Sequence, residues 1–164
     1  MNRPTAQEVR ARLNYDPESG VITWRTSKVP ARVGTVAGAV SNGRRAILVS
    51  GRLYGAHVLA WVIVTGNWPE RGIDHRDLDG LNNRWTNLRL ATKSQNAQNT
   101  PRRVDNTSGF KGVAWDARRG KWRADIRVPG GKRKHLGMHD DPAVGHAAYV
   151  AAAKELFGEF GRAS

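Results

Sequence analysis

The sequence predicts an α+β protein built from two small units. Short strand-like and helix-like segments alternate along a chain of 164 residues, a length that accommodates one medium domain or two small ones. A polar stretch containing a proline divides the chain, and from Gly109 the pattern changes to three short strands followed by an Ala-rich helix. We therefore predict a first domain at residues 1–99, a linker at 100–108 and a second domain at 109–164.

The first domain is predicted to open with a helix and a strand. The segment from Thr5 to Leu13 has helix-forming composition, with Glu8 early and two arginines late, which suits the helix dipole. A turn at 15–20 precedes strand-like residues 21–25. The next residues, 26–36, show no clear periodicity and predict neither element.

A hairpin and a buried helix are predicted next. Residues 46–54 alternate as two strands around a turn at Ser50, Gly51 and Arg52. The apolar run from His57 to Val64 predicts a buried helix. Residues 68–69 are Trp-Pro, and the proline is expected to interrupt regular secondary structure before the next element.

Charge and cysteine content limit the classes of function. The net charge is +13 and the chain has no cysteine. A disulfide framework and a thiolate zinc site are thereby excluded, and a polyanionic partner, most commonly nucleic acid, is expected. The alternatives on charge alone are a ribosomal or membrane-surface protein. No apolar run reaches membrane-spanning length and no signal-peptide pattern opens the chain, so a cytoplasmic location is expected, in a bacterial host if the gene is carried by a phage.

The segment 72–99 carries the most informative pattern, with Asp74 beside His75, then Asn87 and Asn96. This spacing resembles the HNH nuclease motif of phage and intron-homing endonucleases, with Asn in place of the last His. The resemblance implies two strands and a helix that grip one divalent metal. It extends upstream through residues 34–69, with Val58 where relatives often carry a basic residue.

The residue types suit phosphodiester hydrolysis. A histidine with an ordinary pKa of about 6.5 is mostly neutral and basic at working pH, so His75 is the candidate that activates water. The side chains of Asp74 and Asn96 supply hard oxygen ligands, which favour Mg²⁺ or Mn²⁺. Adjacent residues of a strand point to opposite faces, so a bend or bulge is expected to bring Asp74 and His75 to one site. The resemblance assigns these same roles, and implies that Asn87 orders the loop through hydrogen bonds.

Neighbouring polar residues have more ordinary interpretations. Asp77 and Asp79 are better explained as solvated loop residues than as second metal ligands. His57 lies in an apolar run and is better explained as a semi-buried histidine than as a phosphate contact.

The second domain is predicted as a three-stranded antiparallel sheet backed by one helix. Strands are expected at 110–115, 122–128 and 133–138, and a helix at 142–157 has Asp141 as its N-cap and Pro142 at its first position. The domain resembles the ethylene-response-factor type of plant DNA-binding domain, in which such a sheet enters the major groove. Alternation along the middle strand independently turns three polar side chains outward. The DNA-contacting candidates are Lys111, Arg123, Asp125, Arg127, Arg133 and His135.

Together these patterns predict a metal-dependent endonuclease that cuts or nicks double-stranded DNA. No membrane and no obligate protein partner are expected. Two alternatives remain open: a non-catalytic, sequence-specific DNA-binding protein that keeps an HNH-like fold, and an RNA-binding protein of ribosomal type.

Overall fold

The chain divides into two compact units, Met1–Ala91 and Thr92–Ser164. The computed structural model describes residues 3–100 and 104–161. Within these ranges the secondary structure consists of four α-helices, four small antiparallel sheets and single turns of 3-10 helix. The architecture is therefore α+β. The unit boundary lies earlier than the predicted one after residue 99, and part of the predicted linker, 101–103, lies outside the described residues.

The first unit opens with α1 (Ala6–Arg12), which begins as its sequence predicts. The Thr5 hydroxyl accepts a hydrogen bond from the Glu8 backbone N–H at 3.2 Å, and the Glu8 carboxylate accepts one from the Thr5 backbone N–H at 2.7 Å. This reciprocal capping box satisfies two N–H groups that a helix start otherwise leaves unbonded. Two short strands follow, β1 (Leu13–Tyr15) and β2 (Ile22–Trp24), paired antiparallel.

A three-stranded sheet comes next in the chain, in the order β3 (Ala39–Ser41), β4 (Arg44–Val49) and β5 (Arg52–Gly55). The predicted turn is confirmed for Ser50 and Gly51, whose φ values are 50° and 79°, but Arg52 pairs with Val49 and already belongs to β5. A left-handed φ at both central turn residues matches the twist of the two strands. The predicted buried helix is confirmed as α2 (Ala56–Thr65).

The hairpin of β6 (Gly72–His75) and β7 (Leu88–Ala91) completes the first unit. A turn of 3-10 helix, Trp85–Asn87, leads into β7. Ile73 and Leu88 belong to one buried cluster with residues of α1, α2 and the earlier strands. The hairpin is therefore anchored on the core of this unit through one apolar side chain from each strand.

The second unit is a sheet backed by a long helix, as predicted. Its elements are α3 (Lys93–Gln98), β8 (Val113–Asp116), β9 (Lys121–Arg127), β10 (Arg133–His139) and α4 (Pro142–Phe157). The antiparallel strands follow the order β8-β9-β10. Ala124 and Ile126 of β9 are fully buried, as are Ala153 and Tyr149 of α4. One face of the sheet and one face of the helix thus form this unit's core.

Local contacts explain where the elements of the second unit begin. The Asp141 carboxylate accepts a hydrogen bond from the Ala143 backbone N–H at 2.8 Å, so the predicted N-cap of α4 is confirmed. β8 begins later than predicted because Gly112 turns the chain with a φ of 78°. α3 groups with this unit because the Gln98 amide donates to the Arg127 carbonyl oxygen at 3.3 Å. No helix within 3–100 and 104–161 is long and apolar enough to cross a membrane.

Candidate active site

The β6–β7 hairpin presents the two adjacent residues of the motif. Asp74 stands opposite Arg89 and His75 opposite Leu88 in an unbroken antiparallel register. Of the two expected distortions, a bend or a bulge, no bulge separates Asp74 and His75 within the strand. His75 is instead the last residue of β6, and the chain turns there, with the Leu78 backbone N–H donating to the His75 carbonyl oxygen at 3.1 Å.

Asp74 lies in a buried ion pair with Arg89. The Arg89 guanidinium donates from Nε and Nη2 to Oδ2 of Asp74, at 3.0 and 2.9 Å. Both side chains are almost fully buried, 4% and 6% exposed. The carboxylate is thus held by a fixed, charge-assisted pair of bonds, and any cation that binds it shares it with a guanidinium.

His75 is oriented by Asn83 across the hairpin loop. Its Nε2 lies 3.1 Å from Oδ1 of Asn83, whose own amide nitrogen donates to the Leu81 carbonyl oxygen at 3.1 Å. Because that orientation of Asn83 presents an acceptor, Nε2 of a neutral His75 carries the hydrogen. The basic lone pair of the imidazole then resides on Nδ1, the nitrogen suited to take a proton.

A second histidine, His57, lies against His75. The ring centroids are 5.2 Å apart and the rings meet edge to face at 71°. Gly55 has no side chain, and a Cβ there would come within 2.5 Å of the His57 ring, so the glycine makes room for this packing. Burial, together with the neighbouring His75 and Arg44, lowers the pKa of His57 to about 4. His57 is therefore neutral at ordinary pH.

The loop between β6 and β7 is fastened by Asn87 and Asp77. The Asn87 amide nitrogen donates to Oδ1 of Asp77 at 2.8 Å and to the Asn82 carbonyl oxygen at 2.7 Å. Its amide oxygen accepts from the Asp77 backbone N–H at 3.1 Å, and Asn82 donates to Oδ2 of Asp77 at 2.6 Å. Partial burial opposes ionisation of Asp77, but the bonds from Asn87, Asn82 and the Asp79 backbone outweigh it and lower its pKa. Both carboxylate oxygens of Asp77 thus accept hydrogen bonds from side chains of the loop.

Asn96 belongs to α3 and so to the second unit. It is exposed on that short helix, which Thr92 and Gln95 start with a reciprocal capping box. The structure brings Asp74, His75 and Asn87 together in one hairpin, and Asn96 is placed with the other unit.

Five of the DNA-contacting candidates of the second unit lie on β9 and β10, where three of them pair with one another, and Lys111 lies before β8. The Asp125 carboxylate pairs with Nε of Arg123 at 2.7 Å and with Nδ1 of His135 at 3.1 Å. Arg127 and Arg133 are exposed and stand opposite each other in the register. Two like charges at directly opposed positions repel, which favours an anion between them. Lys111 donates from Nζ to the carbonyl oxygens of Gln98 and Thr100, at 2.7 and 2.6 Å.

The donor chemistry for a metal is sparse but of the right type. Within the described residues no three His, Cys, Asp or Glu side chains gather in one place. The motif offers one carboxylate, Asp74, and amide oxygens, which are hard ligands of the kind that Mg²⁺ and Mn²⁺ take.

Three features of the site were not predicted from the sequence: the Arg89 pair, the contact of His57 with His75 and the bond between Asn83 and His75. The one charged residue in the otherwise apolar β7 segment was a usable signal for Arg89, because a hairpin register places it opposite Asp74. The approach of His57 depends on tertiary packing and left no signal in the sequence.

Comparison with known proteins identifies the same region. The family described as HNH endonuclease matches residues 54–98. Protein 3.8 of Escherichia phage T7 is 34% identical over 107 residues, which cover 65% of this chain and 87% of that protein. No solved structure matches the chain significantly.

Proposed function

Because the chain belongs to the family of phage T7 protein 3.8 and carries an HNH endonuclease domain at residues 54–98, we propose that it hydrolyses phosphodiester bonds of double-stranded DNA with a divalent metal ion. The observation that carries the proposal is the buried Asp74–His75 pair at the end of β6, on a hairpin whose loop is fastened by Asn87. A nuclease needs reacting groups held in place, and this hairpin holds them on the core of the first unit.

His75 acts as the general base in this proposal. Its bond to Asn83 orients the imidazole, and the neutral His57 beside it adds no competing positive charge. The proton removed from the attacking water goes to the His75 imidazole.

The metal is assigned to Asp74 and Asn96 on the sequence motif and the chemistry of their oxygens. A divalent ion supplies positive charge that stabilises the phosphorane and the departing oxygen. The Arg89 guanidinium holds the Asp74 carboxylate in a fixed orientation through two hydrogen bonds.

The second unit is proposed to position the duplex. An exposed row on β9 and β10 carries Arg127 and Arg133, and the chain has a net charge of +13. Phosphate contacts of this kind fix register and orientation, and base contacts add specificity. The resemblance of the sequence of residues 109–157 to the ethylene-response-factor type is what suggests that this sheet enters the major groove.

One observation favours the alternative, a DNA-binding protein without catalysis. The Asp74 carboxylate already carries a buried counter-ion, Arg89, which is the charge balance a metal would otherwise provide. The two functions differ in whether the bound DNA is cut.

The test is conversion of supercoiled plasmid to nicked or linear forms. Wild-type protein is incubated with Mg²⁺ or Mn²⁺, with and without EDTA, and DNA binding is measured in parallel by gel shift. Metal-dependent conversion that EDTA abolishes supports the nuclease, and binding with no conversion under any metal supports the alternative.

Calorimetric titration with Mn²⁺ tests the ligands separately. Asp74→Asn and Asn96→Ala should each weaken Mn²⁺ binding, and Asp79→Asn, a loop carboxylate that bonds the Leu81 backbone N–H, is the matched control. Wild-type Mn²⁺ affinity in either motif variant would remove that residue from the ligand set.

A further inference from the structure

A cavity of about 690 Å³ opens in the first unit, away from the Asp74–His75 hairpin. Its walls come from the end of α1, from β2 and the segment after it, and from the β4–β5 hairpin. We call it the Trp24 pocket. The residues that line it are Arg12, Trp24, Thr26–Val29, Arg32, Leu48, Ser50 and Gly51. Sites for small organic molecules have volumes in this range, roughly 300–1,000 Å³.

The charge of the pocket favours an anion. Arg12, Lys28 and Arg32 line it, and no acidic residue does. Arg12 is preset, because its Nη1 donates to the Ser50 hydroxyl at 2.7 Å. Its carbonyl oxygen also accepts from the Arg25 and Thr26 backbone N–H groups, at 2.8 and 3.3 Å. These bonds connect the end of α1, which carries the Arg12 guanidinium, to the segment that follows β2.

The pocket also offers exposed apolar surface. Trp24 is partly buried against the core of the unit and contributes its remaining surface to the cavity. Val29 and Leu48 in the same lining are 47% and 56% exposed. An indole beside exposed aliphatic side chains and arginines is the combination on which nucleic-acid bases stack.

A smaller cavity of about 380 Å³ continues from the first and shares Trp24, Arg32 and Leu48 with it. It runs along β3–β5, past the exposed side chains of Val36 and Leu53. The combined groove has room for more than one nucleotide, which favours a strand over a single small molecule.

We propose that the Trp24 pocket binds a nucleotide, with its base against Trp24 and its phosphate against Arg12, Lys28 and Arg32. The source is an unpaired nucleotide of a DNA strand or a free nucleotide of the same chemistry. Naming DNA as the source rests on the proposed function, whereas binding of a nucleotide by this pocket does not.

Binding is measured on the full-length protein with two ligands. Fluorescence anisotropy reports a labelled six-residue thymidine oligonucleotide, and calorimetry reports thymidine monophosphate. The pocket variant is Lys28→Ala with Arg32→Ala, both exposed side chains. Its matched control is Arg71→Ala with Arg118→Ala, also exposed and outside the pocket lining, which removes the same charge.

A tenfold or greater loss of oligonucleotide affinity in the pocket variant, against less than threefold in the control, supports the proposal. Trp24→Leu keeps an apolar residue against the core and should weaken the same affinity by about 5- to 100-fold, the range for loss of one base–aromatic stack. Thermal melting confirms that each variant is folded. Equal losses in the pocket and control variants would overturn the proposal.

Location is tested by photo-crosslinking an oligonucleotide that contains 5-bromodeoxyuridine and mapping the modified peptide. A crosslink in residues 24–32 supports the pocket, and crosslinks confined to other segments overturn it. Oligonucleotide binding at least tenfold tighter than that of the monophosphate identifies a DNA strand as the source, and equal affinities identify free nucleotide. Plasmid cleavage by the pocket variant is recorded in parallel, so loss of nucleotide binding with retained nicking separates this proposal from the nuclease itself.

Discussion

Asp74 is both a proposed metal ligand and one partner of a buried ion pair. Its carboxylate is 4% exposed and is bonded twice by Arg89. The motif in the sequence identifies the carboxylate, because its position beside His75 is local. The sequence alone does not identify the counter-ion, because the pair joins residues of two strands and exists only once the hairpin register is set.

Arg89→Ala should destabilise the protein by about 3–5 kcal/mol, because it leaves a buried carboxylate without its counter-ion. The matched control is Arg119→Ala, whose pair with Asp116 is exposed and should contribute less than about 1 kcal/mol. Urea denaturation at neutral pH measures both. Equal losses in the two variants would show that the Asp74–Arg89 pair is not a buried ion pair of structural consequence.

His57 should make stability sensitive to mild acid. Its folded-state pKa, lowered to about 4 by burial and by His75 and Arg44, lies below the ordinary value of 6.5. The unfolded chain therefore takes up a proton between pH 6.5 and 4 while the folded chain does not. The contribution of neutral His57 to the free energy of unfolding is present in full above pH 6.5. It is lost as the pH falls toward 4, by at most about 3 kcal/mol.

Replacement of His57 by glutamine isolates this effect from the other titrating groups. The free energy of unfolding of wild type, measured at pH 7.5 and 4.5, should fall by about 2 kcal/mol more than that of His57→Gln over the same interval. An equal fall in the free energy of unfolding of both proteins would assign the acid sensitivity to other titrating groups.

At the scale of elements, local signals in the sequence predict the caps, one turn and the face alternation of one strand. The caps of α1 and α4, the turn at Ser50–Gly51 and the alternation of β9 all follow from side chains within a few residues of one another. β1 and β3 do not, because each is three residues long and gains its identity only from its partner strand. A bend or a bulge was predicted at Asp74 and His75; the register of β6 is regular, and the chain turns immediately after His75.

Gly112 tests how closely α4 packs on the sheet. A Cβ at this position would come within 2.1 Å of the Tyr149 ring, and φ is +78°. Gly112→Ala should therefore cost about 2–4 kcal/mol, the sum of steric overpacking and left-handed backbone strain. Gly120 has a similar φ, +61°, with open space at its Cβ, so Gly120→Ala should cost only the backbone strain, about 1 kcal/mol.

Thermal and urea denaturation of the two glycine variants provide the comparison. A Gly112→Ala protein as stable as Gly120→Ala would mean that α4 does not rest on the sheet at Tyr149.

At the scale of the whole molecule, the net charge and the division into two units are the features that bear on the proposed function. The net charge of +13 predicts affinity for DNA, and the change of pattern around residues 100–108 predicts two units. The assignment of α3 to the second unit was not predicted, because it depends on bonds from Gln98 and Lys111 to distant backbone atoms. The proposal that Asn96 is a metal ligand therefore rests mainly on the sequence motif.

Duplex binding should depend on Arg127 and Arg133, the opposed exposed arginines of the sheet. Removing both should lower the slope of log affinity against log salt concentration by about 2, since each phosphate contact contributes about 0.9. Arg118→Ala with Lys154→Ala, also exposed, removes the same charge from outside this row and should change the slope less. Anisotropy titrations of a labelled duplex at several salt concentrations measure both, and equal slopes in the two double variants would argue against a role for the sheet in positioning DNA.

The central claim, that the Asp74–His75 hairpin cuts DNA, is tested most directly by single-turnover cleavage with His75→Ala. Plasmid cleavage is followed with Mn²⁺ at protein concentrations that saturate the DNA, and affinity is measured separately by gel shift. His135→Ala, an exposed histidine of the second unit, is the control. Loss of the base should lower the rate by about 10²–10⁴-fold while DNA affinity stays nearly that of wild type. His135→Ala should cut at the wild-type rate when the protein saturates the DNA. Cleavage at the wild-type rate by folded His75→Ala protein would contradict the assignment.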